Sequence, residues 1–223
     1  MAKRKGLLPL AWVLALLTCR FASAELEPQC AENSPERRGE LGCSYVANKP
    51  LPELGKGPLV WHIDRFGSQV DAEKAAGDAG VAFQAHGAWW LMAIESAARE
   101  HHGGEHIAAV PLPPLPPAKN YSMLVISAYV AAGQTSRVHY HSGVEAFYTV
   151  EGEQCLETPT AAHRIPKGSY FAVATGVTMR LVATGPTPRR GFAVVVYDAS
   201  QPPTTRPGDP PALVSCQDTG EGH

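Results

Sequence analysis

Charge is scarce in this sequence and neither sign dominates: Lys+Arg number 19 and Asp+Glu 21 among 223 residues, 18% in all. With 44% hydrophobic residues, that excludes a disordered or coiled-coil chain. A formal net charge of −2 excludes nucleic acid as the expected partner, since phosphate binding requires a basic face. No Gly-rich phosphate loop and no GxSxG elbow occur, and no thiol stands out as a nucleophile. Cysteine is sparse, at 5 residues with no CxxC pair, which removes the usual Cys-based metal sites. What is abundant is Gly, 21 residues, and Pro, 20, a content suited to turns and irregular edges and unsuited to a helix bundle.

Long hydrophobic runs are also missing, apart from one near the N-terminus. Lys3, Arg4 and Lys5 precede an apolar stretch from Leu7 to Thr18, and Ala22-Ser23-Ala24 forms an A-x-A site. The stretch is ~18 Å long as a helix, against the ~30 Å of a bilayer core. Residues 1–24 therefore read as a signal peptide, with Glu25 the mature N-terminus and an exported, periplasmic or extracellular product. No stable membrane span is expected after cleavage. Cleavage removes Cys19 and leaves Cys30, Cys43, Cys155 and Cys216. An even number in an exported chain points to two disulfides. Of three possible connectivities, Cys30–Cys43 and Cys155–Cys216 are preferred, the first closing a polar segment and the second tying down the tail. Free buried thiols are the alternative.

Residues 25–57 are polar and rich in Pro and Gly, and read as an irregular, disulfide-containing arm. Residues 58–119 begin a β-rich region. LVWHIDRF reads as a strand, VDAEKAAGD as a short helix and VAFQAHGAWWLMAIES as one or two strands. HHGGEH follows, with Gly103-Gly104 favouring a turn over a helix, and then a Pro-rich connector at 111–119 that cannot occupy a sheet interior. Residues 120–200 are a succession of eight short apolar or alternating runs separated by turn residues, the pattern of an all-β sandwich or barrel. Residues 201–223 read as an irregular tail tethered by Cys216.

The chemistry concentrates between Gly133 and Gly152. On a strand, residues two apart share a face, so His139 and His141 project together. Ser142-Gly143 allows a turn, after which Glu145, Phe147 and Thr149 return on that same face. Two imidazoles and one carboxylate form a 2-His-1-carboxylate set, which can hold one side of a divalent metal and leave open positions. The competing reading is three polar residues at a solvated sheet edge. His62 and His86, each alone on a strand-like run, read as packing residues, and Arg189 and Arg190 as surface charge.

This stretch resembles the first motif of the cupin superfamily, G(X)5HXH(X)3-4E(X)6G, with every fixed position present at Gly133, His139, His141, Glu145 and Gly152. The family's second motif, G(X)5PXG(X)2H(X)3N, is matched in spacing from Gly168, but Ala174, Met179 and Ala183 stand where Pro, His and Asn belong. The resemblance spans residues 121–198. It implies a cupin-type jelly-roll β-barrel, here with an N-terminal β-rich extension that could be a degenerate second half. It further implies a divalent metal ion (Fe, Mn, Zn, Ni or Cu) held by His139, His141 and Glu145. A small-molecule ligand and a homodimer pairing through barrel faces follow from it too, with Arg137, Tyr140, Tyr148 and Tyr170 facing outward. A thioether is a poor ligand for hard divalent ions, so Met179 reads as pocket lining at the degraded fourth ligand position. The implied activity is oxygenase-like or isomerase-like metalloenzyme chemistry on a small organic molecule. The alternative is a non-catalytic small-molecule or metal-binding module. A metal-free pocket with hydrogen-bonding histidines also stays open.

Overall fold

The computed structural model describes residues 42–51, 54, 57–96 and 103–217. The signal peptide assigned to residues 1–24 lies outside them, as does Cys30. Strand β1 runs Gly42–Pro50 and β2 Leu59–Phe66, followed by helix α1 at Gln69–Ala76. Three strands complete the N-terminal region: β3 Val81–Ala85, β4 Ala88–Ser96 and β5 Glu105–Pro111. Beyond the connector come β6 Tyr121–Val130, β7 Tyr140–His141, β8 Val144–Glu151, β9 Glu153–Glu157 and β10 Ala162–Pro166. The last four strands are β11 Tyr170–Val173, β12 Arg180–Thr184, β13 Arg189–Asp198 and β14 Thr204–Thr205.

These strands form four antiparallel groups. The largest is a five-stranded sheet in the order β1-β6-β13-β8-β11; a three-stranded sheet, β10-β9-β12, stands opposite it. Phe147, Val173 and Ala193 from the first sheet meet Leu156 and Ile165 from the second in one apolar cluster, so the two sheets enclose a common interior. The short pair β14-β7 closes one side. The all-β jelly-roll expectation holds, and each of the eight runs read as strands after the connector contains one.

The N-terminal strands form a single open sheet, β3-β4-β2-β5. It lies over the outer face of the five-stranded sheet. Trp61, Ile63, Phe83, Trp90 and Met92 interdigitate there with Met123, Val125, Ala146, Phe192 and Val194. Strand alternation accounts for the division, because adjacent residues on β6, β8 and β13 serve opposite faces in turn. Trp90 also donates its indole N–H to the Ala85 carbonyl at 2.8 Å, so burial leaves no polar atom stranded on that ring. Helix α1 is capped by Ser68, whose hydroxyl accepts from the Asp71 amide. The helix rests Ala72 and Ala76 on Phe66 and Leu91. The connector runs extended outside the sheets, as its prolines require, with Leu112 and Leu115 against the core and the Tyr121 hydroxyl donating to Pro116 O at 2.7 Å.

Three expectations need correction. Residues 42–50, placed in an irregular arm, form β1 and pair with β6 at the edge of the large sheet. An edge strand needs few apolar residues, and Ser44, Asn48, Lys49 and Pro50 hid it. Residues 204–205 of the tail pair with β7. Tyr148, expected to face outward, is buried beneath the N-terminal sheet. That face of the barrel is therefore covered by the chain itself and not offered to a partner there. Cys155 and Cys216 are bonded as expected. Cys43 is also disulfide-bonded; its pairing with Cys30 falls on a residue outside those described.

Candidate metal centre

Glu145 lies on the interior strand β8, opposite Val173 of β11 and Val195 of β13. Its side chain points into the interior and is only 3% exposed. His141, equally buried, ends the two-residue β7, and His139 stands just before it, paired across an isolated bridge with Met179. The turn between β7 and β8 is set by Gly143. Its φ is not in the left-handed region; the requirement is space. A Cβ there would lie 2.6 Å from the Tyr197 Cα and overlap the Val196 carbonyl. Only glycine lets this turn lie against β13, and that contact brings His141 and Glu145 to one point.

The three residues offer ligand atoms that all lie within 4.8 Å of one another. The imidazoles stand edge to face, with ring centroids 4.9 Å apart. Each ring has its Nδ1 engaged from behind. His139 Nδ1 is 2.7 Å from Arg137 O, and His141 Nδ1 is 2.9 Å from Pro203 O, with Thr204 Oγ1 3.2 Å away. A carbonyl can only accept, so Nδ1 carries the proton in both rings and Nε2 is left as the lone-pair donor. This is the outer-shell arrangement that orients metal-binding imidazoles. His141 Nε2 lies 3.0 Å from Glu145 Oε2, within ion-pair reach. Yet neither atom makes a hydrogen bond of acceptable geometry, and both are buried. Two buried polar atoms brought together without a hydrogen bond between them mark a position for a third party.

The electrostatics differ between the rings. Burial holds the His139 imidazole below its ordinary value; Glu145 resists this and the neighbouring His141 adds to it. For His141 burial pulls the same way but is outweighed by the Glu145 carboxylate and the Pro203 carbonyl, so its pKa is raised.

A cavity of about 330 Å³ opens onto the three residues. Its walls are mostly apolar, with Ile126, Val130, Leu181 and Ala193 among them. Met179 does not line it. The residue is buried in the apolar cluster with Phe147 and Ile165, beneath the cavity floor. That position belongs to the core. Two arginines also depart from expectation. Arg137, read as outward-facing, lies at the cavity rim, and Arg189, read as surface charge, lines the cavity and is 2% exposed. Arg189 shares its strand parity with the inward-facing Ala193 and Val195, so alternation counted back from the apolar run carried the signal. Among the other described histidines, His62, His86 and His106 serve as packing residues or surface partners. His106 meets Asp64 at 2.9 Å, and His86 sits with its ring centroid 5.0 Å from that of Phe192.

No protein-family model and no curated protein matches the sequence. Among solved structures the chain is similar to a cupin-like protein of Thermotoga maritima, at 13% identity and TM-score 0.35, over 39% of this chain and 74% of that one. It is also similar to an uncharacterised protein with a double-stranded β-helix domain from Klebsiella pneumoniae, at 18% and 0.34, over 37% and 72%. A third likeness is to the salicylate 1,2-dioxygenase of Pseudoaminobacter salicylatoxidans, at 20% and 0.30, over 33% of this chain and 20% of that enzyme. The likeness is to the cupin, or double-stranded β-helix, fold. It spans little more than a third of the chain.

Proposed function

We propose that this chain is an exported cupin-type metalloprotein that holds a divalent cation between His139, His141 and Glu145. The observation that carries this reading is the pair of buried, unbonded atoms, His141 Nε2 and Glu145 Oε2, facing one another beside His139. The donor set fits such an ion: two imidazoles held in the ligating tautomer and one carboxylate, with no fourth side chain, leaving positions open to small molecules. When bound, the cation would supply Lewis-acid or redox chemistry to a ligand in the cavity. The chain's own residues do the rest. Pro203 O and Arg137 O fix the rings, Ile126, Leu181 and Ala193 exclude water from the interior, and Glu145 balances charge. The leader pattern and the Cys155–Cys216 bond support export, since such bonds persist in oxidising compartments.

Within this reading the chain acts on a small organic molecule as an oxygenase or isomerase. A non-catalytic binding module is the second reading. It is favoured by the absence, among the described cavity residues, of any carboxylate or imidazole besides the three ligands to serve as a general base. The test is metal content by plasma emission after dialysis against Fe, Mn, Zn, Ni and Cu in turn. About one ion per chain in wild type, lost in His139→Ala and Glu145→Ala, is expected. A wild-type protein that retains none of the five ions overturns the proposal. Oxygen uptake over a substrate panel then separates enzyme from binding module.

A further inference from the structure

We infer that the cavity takes a small organic acid, whose carboxylate is received by Arg189. The described wall carries three guanidinium groups, those of Arg137, Arg189 and Arg206, and a single carboxylate, Glu145. Arg137 and Arg206 are exposed at the mouth, whereas Arg189 is enclosed. A buried guanidinium is expensive to desolvate and requires acceptors. Arg189 has one: an Nη donates to Gln154 Oε1. Its Nε is buried with no partner. Glu145 does not meet that need by contact. In the β8–β13 register Glu145 stands opposite Val195, six residues along β13 from Arg189. A cation at the triad would also engage Glu145 and leave the interior with a still larger excess of positive charge. An anion is what this interior lacks. The fork of a guanidinium matches the two oxygens of a carboxylate, and the apolar walls suit a hydrocarbon body between them.

This reading deepens the proposed function at the same cavity and rests on it for any chemistry, but the anion contact depends on Arg189 alone. The test uses benzoate as probe, with benzamide as its uncharged isostere and inorganic phosphate as a competing oxyanion. Each is titrated calorimetrically at low salt into EDTA-treated and metal-loaded protein. Benzoate is expected to bind both forms at least tenfold more tightly than benzamide. Arg189→Met is expected to weaken benzoate at least tenfold, and Arg137→Met or Arg206→Met less than threefold. Equal binding of benzoate and benzamide, or an unchanged benzoate affinity in Arg189→Met, overturns the inference. Preference for phosphate overturns the organic-acid assignment. If Arg189→Met does not fold, the wild type decides: benzoate must shift the Arg189 Nε–H resonance, assigned with Arg189→Lys, and an unmoved resonance overturns the inference. Benzoate binding to a protein that takes up no metal would support the anion site while overturning the metal reading.

Discussion

Replacing both Cys155 and Cys216 by alanine tests how the tail serves the site. The bond closes a loop with a sequence separation of 61. On the chain-entropy account, a loop of that length restricts the unfolded chain by ~4 kcal/mol at 25 °C. In urea, with a slope of ~2 kcal/mol/M for a domain of this size, the midpoint should fall by ~2 M. The structure adds a second consequence. Between Cys216 and the strands, the tail supplies Pro203 O and Thr204 Oγ1 to the back of His141, and the Ser142 hydroxyl donates to Pro202 O at 2.8 Å. Hydrogen bonds also hold its far end: Cys216 N–H donates to Glu157 Oε1 at 2.8 Å, Val214 N–H to Thr158 O at 2.9 Å and an Arg164 Nη to Cys216 O at 3.2 Å. Loosening it should free the His141 ring to turn, and loss of such a buttress typically weakens metal binding 10–100-fold. Urea unfolding followed by circular dichroism reads the first effect, and competition with a chelator reads the second. A midpoint within ~0.5 M of wild type, with unchanged metal affinity, would refute the reasoning that the bond anchors the tail over the site.

Four further outcomes follow from the geometry. Gly143→Ala should destabilise by ~3 kcal/mol or more through overlap with β13, and abolish stoichiometric metal even where a folded fraction persists, by thermal melts and metal analysis. Thr149→Val should lower stability by ~1–3 kcal/mol, because the Ile165 carbonyl loses the donor 2.9 Å away in a fully buried setting. Arg190→Ala should change stability by no more than ~1 kcal/mol, since its partner Glu151 is exposed and its stacking on Tyr129 lies at the surface. Burial pushes the His86 imidazole down from 6.5 to about 4, so its contribution is present above pH 6.5 and is lost as pH falls toward 4. His86→Asn, which tolerates the φ of 49° there, should flatten that acid limb in urea midpoints taken between pH 7 and 4.

The strands from 121 to 198 and the cluster of His139, His141 and Glu145 were legible because both signals are local. Alternation fixes which side chains share a face, and the HxH-turn-Glu spacing returns a carboxylate to the face of the imidazoles. What covers each face is not local. Nothing near Tyr148 distinguishes a surface aromatic from one buried under a sheet built 37 to 89 residues earlier in the chain. Met179 occupies the expected register, paired with His139, yet its side chain joins the apolar core because Phe147 and Ile165 offer it contact there. Arg189 could be placed inward by parity, but the sequence could not say that its only bonded side-chain partner would be an amide from another strand.

The carbonyl that buttresses His141 belongs to Pro203, 62 residues further along the chain, and the strands flanking Glu145 are β11 and β13, both later than β8. A chain emerging N-terminus first can thus complete the large N-terminal sheet long before the centre exists. Competence to capture a cation arrives last, after β13 is inserted and the final segment has crossed back over β7. In an exported protein, that order would leave metal selection to the compartment where folding finishes and not to the one where synthesis begins.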